Sequence, residues 1–161
     1  MKTVSTILGI DPGYGRCGFG VIVADGQDII VKDHGVSTTQ SGIELGVRLS
    51  EIARDIEELI ELHKPDVVAI EKLFFATNAK TAMAVAEARG AILLTCARAG
   101  QEVVEITPNQ VKVALTGNGK ADKKAVEEMV VRICNLKKSP KLDDASDAIA
   151  IAMTAVGFLQ S

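Results

Sequence analysis

The sequence predicts an α/β protein: a mixed five-stranded β-sheet flanked by α-helices on both faces. Two observations predict it. Three strand-like segments follow one another at the N-terminus, separated by turn residues, and strands then alternate with segments of helical period. A meander followed by alternating helix and strand implies a mixed sheet with covered faces. The length of 161 residues predicts a single domain over residues 1–161.

Residues 3–10 read as a buried strand, and Asp11-Pro12-Gly13 turns the chain. Residues 17–24 and 28–38 read as the next two strands, with Asp25-Gly26 as a hairpin signal between them. Over residues 42–63, Leu45, Leu49, Ile52, Ile56, Leu59 and Ile60 recur at steps of three or four, which predicts an amphipathic helix that Lys64-Pro65 ends. Residues 66–70 form a short apolar strand running into Glu71, the pattern of a strand covered on both sides. Residues 77–98 are Ala-rich and almost apolar all round, which predicts a helix buried between layers or between subunits. Residues 102–107 read as the fifth strand, and Pro108 suits the first position of a short helix. A loop at Thr116–Gly119, a helix over 122–134 with a basic face, a break at Ser139-Pro140 and a final apolar helix over 144–159 complete the series.

Composition excludes several classes. Hydrophobic residues make up 47% of the chain, too many for a mainly disordered protein. No uncharged apolar run reaches the length of a membrane span, and the N-terminus lacks the features of a secretory signal. Cys17, Cys96 and Cys134 are scattered, as expected of reduced cysteines in a cytoplasmic protein rather than of a disulfide framework or a zinc site. The net charge of −3 argues against a nucleic-acid partner, but it hides a segregation: residues 106–141 hold eight basic and three acidic residues. Position matters more than the sum.

The acids fall in unusual places. Asp11 and Glu71 each end an apolar strand, and Asp144 and Asp147 lie three apart on one face at the start of an apolar helix. An ionised carboxylate in apolar surroundings is costly unless it is paired or holds a metal. Converging carboxylates repel one another unless cations sit between them, and magnesium takes oxygen ligands. Each acid also has a plainer reading: Asp11 capping a turn, Glu71 pairing with Lys72, Asp144 and Asp147 as helix-start acids, and Asp143 as a cap or a solvated group.

Gly9-Ile10-Asp11-Pro12-Gly13 with Cys17-Gly18-Phe19-Gly20 resembles the opening of the RuvC Holliday-junction resolvases. Ala69–Phe75, with Asn78-Ala79, resembles their second acidic motif, and Ala88-Arg89-Gly90 their central helix. Pro108–Lys112 and Gly117–Lys123 resemble their lysine-bearing segment, and Asp144–Ala152 their C-terminal acidic helix. The departure is Cys17, where the family commonly has Thr.

The resemblance implies an RNase H-like fold, a homodimer, and paired symmetric nicks in four-way junction DNA during recombination and repair. It implies Asp11, Glu71, Asp144 and Asp147 as metal-binding catalytic acids for two Mg2+ ions, which Mn2+ replaces. In a two-metal scheme, ions about 4 Å apart flank the scissile phosphate; the resemblance implies 5′-phosphate and 3′-hydroxyl ends. Lys112 and Lys123 match the family's functional lysines, and Lys120, Lys124 and Arg132 are expected on the DNA backbone. Phe74 matches a base-stacking phenylalanine, while Phe75 is expected inward; the plainer reading closes the core with both rings. Arg89 is expected to pair or to meet a second copy. The RuvAB branch-migration complex is a candidate partner. Three rivals stand beside this reading: the RuvC-like YqgF nucleases that process RNA, an actin-like ATP-binding module, and a non-catalytic junction-binding protein. Two-domain architecture counts against the module, and the full set of acids against the last.

Overall fold

The computed structural model describes residues 4–72 and 79–160. Its elements follow the expected order: β1 (Val4–Asp11), β2 (Arg16–Asp25), β3 (Asp28–Thr38), α1 (Leu45–His63), β4 (Val67–Glu71), α2 (Ala79–Arg98), β5 (Val103–Ile106), α3 (Pro108–Thr116), α4 (Lys123–Ile133) and α5 (Asp143–Leu159). The five strands form one mixed sheet in the order β3-β2-β1-β4-β5. The first three pair antiparallel, and β4 and β5 run parallel to β1.

Strand parity sorts the core into two layers, because successive side chains point to opposite faces. Leu8, Ile10, Val21, Val68 and Ile70 pack with Ile52, Ile56 and Ile60 of α1 and Ala88, Ile92 and Cys96 of α2. Ile7, Ile22, Val67 and Ala69 pack on the other side with α5 and with apolar residues of α3 and α4. Cys17, at the family departure, is fully buried in the first of these layers.

The structure modifies the reading of the Ala-rich helix. Among the described side chains of α2, only Ala88, Ile92 and Cys96, four residues apart, are fully buried, while Met83 and Leu94 are 66% and 53% exposed. The helix therefore covers the sheet and α1 with one face and leaves an apolar face outward.

Local signals set the helix ends. Lys64 closes α1 in the left-handed region, its amide donating to the Ile60 carbonyl at 2.9 Å, and Pro65 prevents continuation. A reciprocal capping box opens α3: the Gln110 amide donates to Thr107 Oγ1 at 3.1 Å, and the Thr107 amide donates to Gln110 Oε1 at 2.8 Å. Asp122 caps α4 by accepting from the Ala125 amide at 2.8 Å. Thr107→Ala is expected to lose about 1 kcal/mol, or roughly 2–4 °C in melting temperature. Thr107→Ser should melt with the parent in a thermal scan. An alanine variant that also melts with the parent would remove the cap from the account.

Candidate active site

Parity and register bring the four acids together. Ile10 stands opposite Ile70 in the parallel β1–β4 pair, so Asp11 and Glu71 end adjacent strands at the same edge of the sheet. Asp11 shares its face with Ile7 and Gly9, and Glu71 shares its face with Val67 and Ala69. Both side chains therefore point to the α5 face. Carboxyl ends of parallel strands are a recurrent location for sites in open α/β sheets.

Helix α5 comes close because the strands beneath it carry glycine. A Cβ on Gly18 would stand 2.5 Å from the Asp144 carbonyl carbon, and one on Gly9 would stand 2.8 Å from the Ala152 Cβ. Residues so placed let the helix backbone rest on the sheet backbone. Asp144 and Asp147, one turn apart on α5, then face Asp11: oxygens of the three carboxylates lie within 4.8 Å of one another. Glu71 joins the group through a hydrogen bond with the Asp11 carboxyl.

The electrostatics follow from this crowding. Burial, together with the charge and hydrogen bond of Glu71, pushes the Asp11 carboxyl up to about 9. Burial also raises Glu71, and the Asp11 hydrogen bond offsets part of that rise. Burial raises Asp147 as well, opposed by Lys123. The donor set, carboxylate oxygens without sulfur or imidazole, fits a hard divalent ion.

Two cations hold the cluster. Lys123 Nζ lies 3.1 Å from Asp147 Oδ2 and 3.2 Å from Asp143 Oδ2. Burial pulls Lys123 down, but these two carboxylates more than offset it and hold its ammonium in the charged form. The exposed Asp143 is lowered by its own backbone amide and by Lys123. Arg16 Nη2 lies 2.6 Å from Asp144 Oδ2. Sequence alone does not single out Arg16, whose one signal is a basic side chain shortly after the acid that ends β1.

The other expected residues divide. Lys112 and Lys123 line one cleft of about 240 Å³ with Glu71 and Asp147, floored by Val111, Val126 and Ile151. Lys124 and Arg132 lie away from it on α4, beside Glu127 and Glu128, and Lys120 is exposed in the loop before α4. Glu71 meets Asp11 and not Lys72 as its hydrogen-bond partner. Arg89 pairs within the chain: its Nε donates to the Glu71 carbonyl at 3.1 Å, and its Nη2 is 3.1 Å from Glu105. It thereby holds the end of β4, where Glu71 sits. Phe74 and Phe75 lie outside the described residues.

The mixed sheet with a carboxylate cluster at its strand ends is the architecture of the RNase H-like nucleases. The family model described as crossover junction endodeoxyribonuclease RuvC matches residues 7–155. A curated relative of that name from a Synechococcus species is 47% identical over 148 residues, spanning 92% of this chain and 96% of its own. Another, from Rubrobacter xylanophilus, is 46% identical over 152 residues, spanning 94% and 85%. The solved structure of Thermus thermophilus RuvC in complex with Holliday junction substrate superposes with a TM-score of 0.92 at 32% identity, covering 97% of this chain and 95% of the other. The yeast mitochondrial Holliday junction resolvase Ydc2 shares the fold, with a TM-score of 0.68 at 13% identity over 93% and 78% of the two chains. The chain belongs to the RuvC family of crossover junction endodeoxyribonucleases.

Proposed function

We propose that this protein resolves four-way DNA junctions by paired, metal-dependent nicks, acting as a cytoplasmic homodimer of single-domain protomers. The observation that carries the reading is the convergence of Asp11, Asp144 and Asp147, with Glu71 hydrogen-bonded to Asp11, in a chain of the RuvC family. The uncovered apolar face of α2, with Met83 and Leu94, supports a second copy there. The absence of a helix able to cross a membrane among the described residues agrees with the location. The RuvAB branch-migration complex is the partner proposed from the family resemblance.

In this reading the four acids hold two Mg2+ ions, for which Mn2+ substitutes. Ions bound there would supply a water of lowered pKa and stabilisation of the leaving 3′ oxygen. The chain's own groups do the rest. Asp11 and Glu71, at the ends of adjacent strands, would supply ligand oxygens from the sheet. Lys123 pairs with Asp147 and Asp143, holds both carboxylates in place and opposes the rise that burial causes in Asp147. Lys112, on the cleft wall opposite the strand ends, faces the negative charge that develops on phosphate. Lys120, Lys124 and Arg132 extend a positive path along the DNA backbone, and Phe74 stacks on an unpaired base.

The test is cleavage of a synthetic four-way junction in Mg2+ beside a linear duplex. Symmetric nicks confined to the junction, ending in 5′-phosphate and 3′-hydroxyl, are expected. Equal cutting of both substrates would sink the reading, and cleavage of structured RNA in place of the junction would transfer it to an RNA-processing role. Lys112→Gln is expected to slow single-turnover cleavage by about 10²-fold with junction affinity reduced only several-fold. A rate equal to the parent would remove Lys112 from the site.

A further inference from the structure

Next to the acidic cluster lies a second concavity, of about 610 Å³, formed by the Gly13–Arg16 turn, by Thr38 and Thr39 at the end of β3, and by Arg48 on α1. Its lining holds two arginines and no carboxylate. Arg48 is firmly placed: its Nε donates to Thr39 Oγ1 at 3.0 Å, and its guanidinium lies 4.9 Å from the Tyr14 ring centroid. Thr39 is fastened in turn, its hydroxyl donating to the Tyr14 carbonyl and its amide to the Gly15 carbonyl at 3.0 Å. Among the described residues, no carboxylate pairs with Arg48. Arg48 thus presents a fixed positive charge to the concavity. Arg16 borders both sites, since it pairs with Asp144 and is also among the residues that line this concavity.

We propose that this concavity is a subsite for a backbone phosphate of the DNA substrate, held by Arg48 and Arg16. It stands on the α1 side of the strand ends, whereas Lys112 and Lys123 stand on the α3 and α4 side. Phosphate would therefore be gripped on both sides of the acids. A planar guanidinium offers paired donors matched to phosphate oxygens, and such bonds set the register of a duplex arm without reading its sequence. A fixed arm places the scissile bond over the acids. The inference rests on the junction-DNA reading above.

The test measures junction affinity across a salt series on an Asp11→Asn background, which leaves the substrate uncut. Removing one phosphate-binding cation lowers the slope of log K against log salt by about 0.9. Arg16→Gln and Arg48→Gln should each lower it by that amount and weaken binding several-fold, regardless of DNA sequence. Arg16→Gln also leaves Asp144 unpaired, so Arg48, which has no acidic partner among the described residues, carries the cleaner comparison. Arg48→Lys keeps the charge, and should keep the slope, if the glutamine variant melts early. Slopes unchanged in both glutamine variants, with junction binding by the parent background intact, would overturn the subsite and spare the resolvase reading. A parent that binds no junction would overturn both. Protection of the protein by millimolar inorganic phosphate, with unchanged DNA slopes, would assign the concavity to a free anion and also overturn the proposal.

Discussion

Asp11→Asn is expected to abolish junction cleavage and to raise the melting temperature of the metal-free protein. The two effects have one cause. Asp11 is largely buried beside Glu71, Asp144 and Asp147, and burial and repulsion push its carboxyl up to about 9. Without a cation, the ionised form opposes folding; with one, the same oxygens become ligands. Asparagine fits the same space and removes the repulsion, but it supplies a weaker donor to a hard ion. Loss of activity of about 10³-fold or more is expected from removing a central electrostatic element of the reaction. Relief of an unfavourable buried charge is expected to stabilise by roughly 1–3 kcal/mol, which is about 3–10 °C for a chain of this size.

The pH dependence follows with a definite sign. Between the unfolded carboxyl value of 3.8 and the folded value of about 9, the folded protein binds more protons than the unfolded chain through Asp11. This contribution to stability is full below the lower value and is lost as pH rises toward the upper one. The metal-free parent should therefore lose melting temperature from pH 6 to pH 9 relative to Asp11→Asn, and Mg2+ should close the gap, most at high pH. Parallel pH profiles for the two proteins would show that Asp11 does not retain its proton. A destabilised Asp11→Asn protein would show that the carboxyl is held by favourable partners and not by strain.

Gly18→Ala is expected to damage both fold and activity, although residue 18 has no polar side chain. Its Cβ would stand 2.5 Å from the Asp144 carbonyl carbon, inside any tolerable approach, so the start of α5 must move away from β2. The obstacle is helix backbone, which has no rotamer to escape into. Overpacking of this sort costs about 1–3 kcal/mol. Displacement of the helix carries Asp144 and Asp147 away from Asp11, and misplacement by about 1 Å costs roughly 10²-fold in rate. Thermal scanning and single-turnover cleavage together check it. Cleavage at the parent rate, in a variant that is folded, would separate the close approach of α5 from the geometry of the site.

All ten elements were foreseeable in the order and near the bounds observed, because the patterns that specify them are local. Alternation marks β1 and β2, a three-to-four step marks α1, and Thr107-Pro108 and Asp122 announce the starts of α3 and α4. The boundary differences are small and have local causes. The helix expected from residue 42 begins at Leu45, since Gly42 takes a positive φ of 84° in the preceding turn. The uniform Ala-rich pattern of α2 conceals which face is covered, because alanine suits a buried and an exposed surface alike.

Composition and local pattern, together with the resemblance of the motifs, establish an α/β chain with four acids at strand and helix ends and a basic stretch before the last helix. These are properties of neighbours along the chain, and short-range sterics and periodicity suffice to read them. Tertiary structure alone decides that Arg16 takes Asp144, that Lys123 joins Asp143 to Asp147, and that Arg48 faces a concavity free of carboxylates. Those pairings depend on strand register and on how closely α5 settles on Gly9 and Gly18. Such distances are set by packing between segments far apart in sequence, where no local pattern records them.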